Sequence, residues 1–319
     1  MNKQVKKDTY IVCIGGANID RKYRAKQPIM QGTSNPVVSS TSIGGVGRNI
    51  AENLGRLEND VKLLTAVGND ADRLKILQSS KKYIDMNDVL EVEGHSTGSY
   101  TAILDEEGNM EVAYANMDIF DQLTIERIKE KESLIRSATC IVIDLNCPKE
   151  TVEYVYTIAK RFTIPLIIIP VSSPKMDRLP TTLEGVEWLI TNKDESETYF
   201  QMPIHSHNAW KEAVKKWLQK GIKQVVVTNG DNGVMVGNIA ENNDLNIQCF
   251  PPIRAEQVID VTGAGDAFCS GVIFGFIEGN TLKESIQLGM INAYKTILSP
   301  YTVRLELSKS QLLQEMEEL

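Results

Sequence analysis

Asp260-Val261-Thr262-Gly263-Ala264-Gly265-Asp266 runs directly into the apolar stretch AFCSGVIFGFIEG, residues 267–279. The spacing predicts a tight turn opening a helix from about Ala267 to Ile277, with Gly279 near its end. Small residues leave backbone N–H groups sterically uncovered. The helix dipole adds partial positive charge at the same place. Such a turn can hold the oxygens of a transferring phosphoryl group. Asp266, beside those donors, can accept a proton from an attacking hydroxyl. A glycine turn with an N-capping aspartate is the plain alternative. The seven-residue string is far more specific than a bare GxGD.

Working outward, short apolar runs alternate with helical stripes. Ile11–Ile14, Val61–Ala66, Cys140–Leu145, Leu166–Ile169, Trp188–Thr191 and Gln224–Thr228 read as strands. Most are continuous rather than alternating, as strands covered on both faces are. Val46, Ile50, Leu54 and Leu57 recur at helical spacing, as do Val152, Val155, Ala159 and Phe162, and Trp210, Val214 and Trp217. The expected fold is α/β, a doubly wound, mostly parallel sheet with helices on both faces.

Two segments interrupt that rhythm. Residues 21–42 are polar with β-branched patches. Residues 94–117 read as a hairpin, SYTAILD and MEVAYAN around a turn at Glu106–Asn109. Together they predict a small β-sheet lid near the C-terminal ends of the core strands. The expected division is therefore a core of 1–20, 43–93 and 118–319 and a lid of 21–42 and 94–117.

Among the 319 residues, 42% are hydrophobic and 24% charged, enough for a sizeable core in a soluble protein. The net charge of −8 disfavours a general nucleic-acid binder. Cys13, Cys140, Cys147, Cys249 and Cys269 are scattered without a CxxC pair. They suggest free thiols rather than a disulfide framework or a zinc site. His95, His205 and His207 supply too little for a His-centred site, and the last two lie in a polar loop. Ile11–Ile14 is too short for a signal segment, and no apolar run approaches the roughly 18 residues of a membrane span. A cytoplasmic protein with a small-molecule substrate, and neither nucleic acid nor membrane as partner, is expected.

A second glycine string, Gly44-Gly45-Val46-Gly47-Arg48-Asn49-Ile50-Ala51, reads as a loop entering a helix. There the chain can approach a ligand closely, and Asn49 can both donate to and accept from hydroxyls. Neither GxxxxGK[ST] nor a GxGxxG after the first strand is present. With DVTGAGD, this string resembles the two signatures of the ribokinase family, the PfkB carbohydrate kinases. Glu58 stands where that pattern has Gly or Ser, and Arg73 near an expected Gly; Gly68 fits.

The resemblance implies an ATP-dependent kinase, with the ATP site in the core. Gly263, Ala264 and Gly265 would form the anion hole and Asp266 the base. Asn18 and Asp20, in the stretch 16–20, would bind substrate hydroxyls with Gly44, Gly45 and Asn49. Taken alone, 16–20 is a plain βα turn. Asn192-Lys193-Asp194-Glu195 resembles the NxxE motif, placing Asn192 at the nucleotide and Glu195 at Mg²⁺ through water. In isolation these are helix-cap polars. Thr228, Gly230 and Gly233, in TNGDNG (228–233), match the nucleotide-phosphate loop, and Asn292 the adenine edge. Asp260 and Thr262 match positions contributing to a monovalent-cation (K⁺) site.

Within the family, GGANIDRK (15–22), TSNP (33–36), GGVGRNIAENL (44–54) and residues 97–119 resemble the members that act on pseudouridine. So do Val171-Ser172 with Lys175, and Asn146 where ribokinase-like sequences tend to carry Glu. This implies phosphorylation of the 5′-hydroxyl of pseudouridine, with Asn116 and Asp118 as candidate base contacts. The alternative is a kinase for ribose, a fructose-type sugar or adenosine. A non-catalytic binding regulator would be marked by a lost base or anion hole, and both strings are intact. An uncovered lid edge also suggests a homodimer through the lid.

Overall fold

The continuous apolar runs become strands because each is buried on both faces. A computed structural model describes residues 9–240 and 244–318. Along the chain come β1 (Ile11–Ile14), β2 (Asn18–Ala25), β3 (Val37–Gly44), α1 (Val46–Arg56), β4 (Val61–Leu64) and β5 (Ala66–Gly68). Next are α2 (Ala71–Ser80), β6 (Leu90–Val92), β7 (Gly98–Leu104), β8 (Met110–Asn116), α3 (Ile125–Glu130) and α4 (Glu132–Ser137). Then follow β9 (Cys140–Asp144), α5 (Lys149–Phe162), β10 (Leu166–Ile169), β11 (Trp188–Asn192), α6 (Lys193–Phe200) and α7 (His207–Leu218). The last are β12 (Gln224–Thr228), β13 (Val234–Ile239), β14 (Leu245–Phe250), α8 (Ala264–Ile277), α9 (Leu282–Ile297) and α10 (Lys309–Glu317).

The main sheet has the order β14-β13-β12-β11-β10-β9-β1-β4. It is parallel from β4 to β12, and β13 and β14 are antiparallel. Successive side chains alternate between two cores. Val12, Ile14, Ile141 and Ile143 pack with Val152, Val155 and Trp217 of α5 and α7. Ile11, Cys13, Cys140 and Val142 pack with Ile50, Leu54, Phe268 and Ile286 of α1, α8 and α9. Burying both faces in this way requires apolar residues at every strand position.

A separate four-stranded sheet has the order β3-β2-β7-β8. It starts at Asn18, directly after β1, so it stands at the C-terminal end of a core strand. Its hairpin turn is held by Asp105, whose Oδ1 accepts from the Glu107 and Asn109 amides at 2.9 and 2.8 Å. The outer strands carry exposed Met110, Val112 and Tyr114 on β8, and Val37 and Val38 on β3.

Some boundaries differ from the sequence reading. The run Val61–Ala66 breaks at Thr65, and β5 leaves the main sheet to pair with β6. The two antiparallel strands β13 and β14 were not read as strands: Gly237 and Asn238 interrupt the apolar run of β13, and β14 is mostly solvent-facing. Helix α8 begins at Ala264, inside the turn rather than after it. Among the described residues no helix is long and apolar enough to cross a membrane.

Candidate active site

Gly263 is the N-cap of α8 and has φ +84, a left-handed conformation in which a side chain is strained. A Cβ there would also stand 2.2 Å from the Thr302 carbonyl oxygen. At Gly265 no atom lies within 4 Å of a Cβ position, and the residue is exposed. The backbone N–H groups of Gly263, Gly265 and Asp266 donate to no acceptor among the described residues. Ala264 differs, because its N–H donates to the Val261 carbonyl at 3.2 Å. A helix N-terminus with free donors and no side-chain cover can receive anionic oxygens.

Asp266 follows in the first turn of α8 and is partly exposed. Its carboxyl is pushed up to about 7, chiefly by burial. The Asn49 hydrogen bond opposes this, Asp144 and Asp20 add to it, and Arg48 offsets it. Asn49 Nδ2 donates to Asp266 Oδ2 at 2.7 Å. Asn49 is itself fixed by Arg48, which donates to its Oδ1 and to the Ile43 carbonyl, the latter at 2.8 Å.

The start of α1 is set by Gly45, with φ +98. A Cβ on Gly45 would stand 2.4 Å from the Gly16 carbonyl oxygen, so only glycine lets the two loops meet. Register pairing then puts Gly44 opposite Asn18, and Asp20 two residues further along β2. Asn18 is buried and donates to Asp20 Oδ1 at 2.6 Å. Burial raises the Asp20 carboxyl, with Asn18, Arg48 and Lys22 acting the other way. Asn18, Asp20, Gly44, Gly45 and Asn49 thus gather beside Asp266.

Asp144, at the end of β9, ties this region together. Its Oδ2 accepts from the Gly16 and Gly47 amides, each at 2.8 Å, and its Oδ1 from the Asn146 amide at 2.8 Å. Neither Asp144 nor Arg48 was singled out from sequence. Arg48 lies inside the glycine string, so its position was available. Asp144 had no signal beyond being an acidic residue ending an apolar strand. Asn146 is brought to the site: a Cβ on Gly16 would stand 2.6 Å from its Nδ2. Its Oδ1 accepts from Lys175, whose ammonium is lowered in pKa chiefly by burial.

The nucleotide candidates lie two and three strands along the sheet from β9. Asn192 and Thr228 are direct register partners on β11 and β12. Asn192 caps α6 in a reciprocal arrangement, its Oδ1 accepting from the Glu195 amide at 2.9 Å. Glu195 is 3% exposed, and its Oε2 accepts from Thr191 Oγ1 and the Asn192 amide at 2.8 and 2.9 Å. Its Oε1 carries no hydrogen bond among the described residues. Gly230 (φ +51) and Gly233 (φ +94) bracket a tight loop after β12, and no atom stands within 4 Å of a Gly230 Cβ. A cavity of about 490 Å³ opens beside this loop, lined in part by Lys193, Asn229, Asn232 and Trp210. It does not lie over Asp266.

Two expectations are corrected. Asn292 is 0% exposed and cannot edge an adenine. Its Nδ2 donates to Asn53 Oδ1 and the Ala267 carbonyl at 3.1 and 2.9 Å, and its Oδ1 accepts from Arg304 at 3.1 Å. Asp260 and Thr262 face the Lys22 ammonium rather than a free cation position. Asn116 and Asp118 are exposed at the base of the small sheet. His205 and His207 are exposed as well.

Comparison with known proteins follows the same outline. A sequence profile described as pfkB family carbohydrate kinase matches residues 8–306. The chain belongs to the pfkB family of carbohydrate kinases. This pfkB kinase is a phosphotransferase acting on a sugar or nucleoside hydroxyl. It is 30% identical to the pseudouridine kinase of Escherichia coli (strain K12), over 97% of this chain and 96% of that one. A carbohydrate kinase from Agrobacterium tumefaciens superposes with a TM-score of 0.80 at 29% identity, covering 97% of each chain. The Arabidopsis thaliana ribokinase complexed with ribose and ATP superposes with a TM-score of 0.82 at 20% identity. That superposition covers 97% of this chain and 99% of the ribokinase, and speaks for the fold.

Proposed function

We propose that this pfkB kinase transfers the γ-phosphoryl group of ATP to the 5′-hydroxyl of pseudouridine. The observation that carries the reading is one carboxylate, Asp266, set beside three unpaired backbone N–H groups on an open helix start. The 5′-oxygen forms a bond to the γ-phosphorus while the bond to the departing ADP oxygen breaks. Asp266 takes the hydroxyl proton. Gly263, Gly265 and Asp266 donate through their amides to the charge spread over the transferring phosphoryl oxygens.

Asn18, Asp20 and Asn49 hold the ribose hydroxyls, with the Gly44–Gly45 backbone as the wall they lie against. Asn146 and Lys175 meet the base, and the small sheet closes over it as a lid, presenting Asn116 and Asp118. The ATP phosphates run along Asn192, Thr228, Gly230 and Gly233. Mg²⁺ fits at Glu195, because one carboxylate oxygen is free of protein donors while the other fixes the side chain in place. An ion that keeps its waters can be held through such an oxygen. When bound, it neutralises charge on the phosphate oxygens.

The supporting relative is the Escherichia coli pseudouridine kinase, matched along almost the whole length of both chains. The five cysteines are unpaired, which suits a reducing cytoplasm. The apolar outer strands of the lid suit a homodimer through it.

The test is an ADP-release assay with pseudouridine, uridine, adenosine, ribose and fructose as separate acceptors. Phosphorylation of pseudouridine at O5′ with the highest kcat/KM supports the assignment. Turnover confined to a free sugar would overturn it.

A further inference from the structure

The family resemblance implies a monovalent cation at Asp260 and Thr262, and the residues present do not fit one. Lys22 reaches across from β2 of the small sheet. Its Nζ lies 2.6 Å from Asp260 Oδ2 and 3.3 Å from Thr262 Oγ1. The other carboxylate oxygen, Asp260 Oδ1, accepts from the Thr262 amide and hydroxyl at 2.9 and 2.6 Å. Both oxygens of Asp260 are therefore committed, and the negative charge already faces an ammonium. A second cation on the same atoms would sit beside Lys22 and be repelled by it.

The place of this pair matters for the reaction. Thr262 directly precedes Gly263, so Asp260 puts a negative charge just behind the turn that is read as receiving the phosphoryl group. Left uncompensated, that charge would weaken the pull of the turn on anionic oxygens. The Lys22 Nζ, 2.6 Å from Asp260 Oδ2, stands where it compensates that charge.

We propose that the Lys22 ammonium is a built-in substitute for a monovalent cation behind the 263–265 turn, and that phosphoryl transfer by this kinase is independent of K⁺. Lys22 acts as a positioning residue: it holds Asp260 and Thr262, which in turn set the turn. The proposal rests on the reading of 263–265 as the phosphoryl-binding turn.

The experiment compares the full chain with its Lys22→Met and Lys22→Arg variants, assayed with ATP, Mg²⁺ and pseudouridine. Each is measured with choline chloride as the only monovalent salt, and again with KCl at equal ionic strength. The unaltered enzyme should change by less than about twofold between the two salts, since general screening is then constant. In choline, Lys22→Met should lose about tenfold in kcat, the loss of one charge-assisted contact, with little change in KM for the nucleoside. KCl should restore most of that loss, and Lys22→Arg should need no KCl. Melting temperatures read the same question without turnover: KCl should stabilise Lys22→Met relative to choline and leave the unaltered enzyme indifferent.

A several-fold stimulation of the unaltered enzyme by KCl would overturn the proposal. Unimpaired kcat of Lys22→Met in choline would do the same. So would a Lys22→Met variant that KCl neither reactivates nor stabilises, which would make the contact a plain structural bridge. If the unaltered enzyme released no ADP with any acceptor, the reading of the turn would fall instead, and the melting comparison would still decide the cation question.

Discussion

Asn49 Nδ2 donates a 2.7 Å hydrogen bond to Asp266 Oδ2, joining the first turn of α1 to the first turn of α8. The two residues are 217 positions apart, so folding alone brings the proposed base and its amide partner together. Burial raises the Asp266 carboxyl to about 7, and the Asn49 bond, which favours the ionised form, holds it from going higher. In its proposed role as base, Asp266 works only when ionised. The log of kcat/KM should therefore rise with unit slope through pH of about 7 and level off above it. In Asn49→Ala the acid limb should move to higher pH, because the lowering bond is gone. Asn49 is also a proposed acceptor contact, so absolute kcat/KM should fall in this variant, and the limb position is the readout. A limb that stays in place or moves down would separate Asn49 from the base.

The Asp266→Asn variant should lose about 10²–10⁴-fold in kcat, the usual scale of a positioned general base. Affinity for the acceptor, read by calorimetry, should stay within about threefold, since the amide keeps the shape of the carboxylate. The same substitution should stabilise the fold at alkaline pH. The native carboxyl sits near 7 against an ordinary 3.8, so between these values the folded chain holds a proton that the unfolded chain has released. Stability then falls as pH rises through that window and is lowest above about 7. Removing the charge should raise unfolding stability at pH of about 8 by on the order of 1–3 kcal/mol, shrinking toward pH of about 4. Urea titrations at the two pH values measure it. Equal stability at both would mean the carboxyl is not raised.

Asn292 should matter for the fold and not for the nucleotide. Its amide bridges Asn53 of α1, the Ala267 carbonyl of α8 and Arg304, which pairs through two hydrogen bonds with Glu315 of α10. Asn292→Ala leaves buried partners without their bonds, at a cost of about 1–3 kcal/mol. KM for ATP should remain within about twofold. A large rise in that KM with unchanged stability would restore Asn292 to the nucleotide site.

What could be read from sequence follows from how local each signal is. The turn at 263–266 and the glycine loop at 44–49 are legible because their chemistry is written in consecutive residues. The strands of the main sheet are legible for a related reason: burial on both faces forces runs such as Ile11–Ile14 and Leu166–Ile169 to be wholly apolar. Asp144 was invisible because its three backbone partners, Gly16, Gly47 and Asn146, converge only in space. Lys22 was invisible for the same reason, lying 238 residues from its partner. Asn292 was assigned to the adenine edge by family resemblance, which fixes its place in the chain but not whether a ligand or a side chain faces it. Strand β14 escaped because a strand exposed along most of its length lacks the continuous apolar run.

Glu58 shows a departure from a family pattern that the fold absorbs without repair. The pattern has Gly or Ser at this position, and the reason is in the backbone: Glu58 has φ +68, in the left-handed region, and closes the turn after α1. Its N–H donates to the Gly55 carbonyl at 3.1 Å, and its side chain is exposed. A side chain in that conformation costs about 1–2 kcal/mol, which glycine would not incur. Glycine in turn has more freedom to lose from the unfolded chain, an opposing effect of about 0.4–1 kcal/mol. The difference favours glycine, so Glu58→Gly should stabilise the enzyme by about 0.5–1 kcal/mol. Catalysis should be unchanged, because the turn lies at the far end of α1 from Asn49. Arg73 is the contrast: it lies inside α2, with its amide donated to the Asp70 cap at 3.0 Å, and its backbone has no need of glycine. Arg73→Gly should therefore destabilise, by roughly 1 kcal/mol for a helix position. Denaturation midpoints of the two variants should move in opposite directions, and a loss of stability in Glu58→Gly would show that its side chain contributes more than its backbone strain removes.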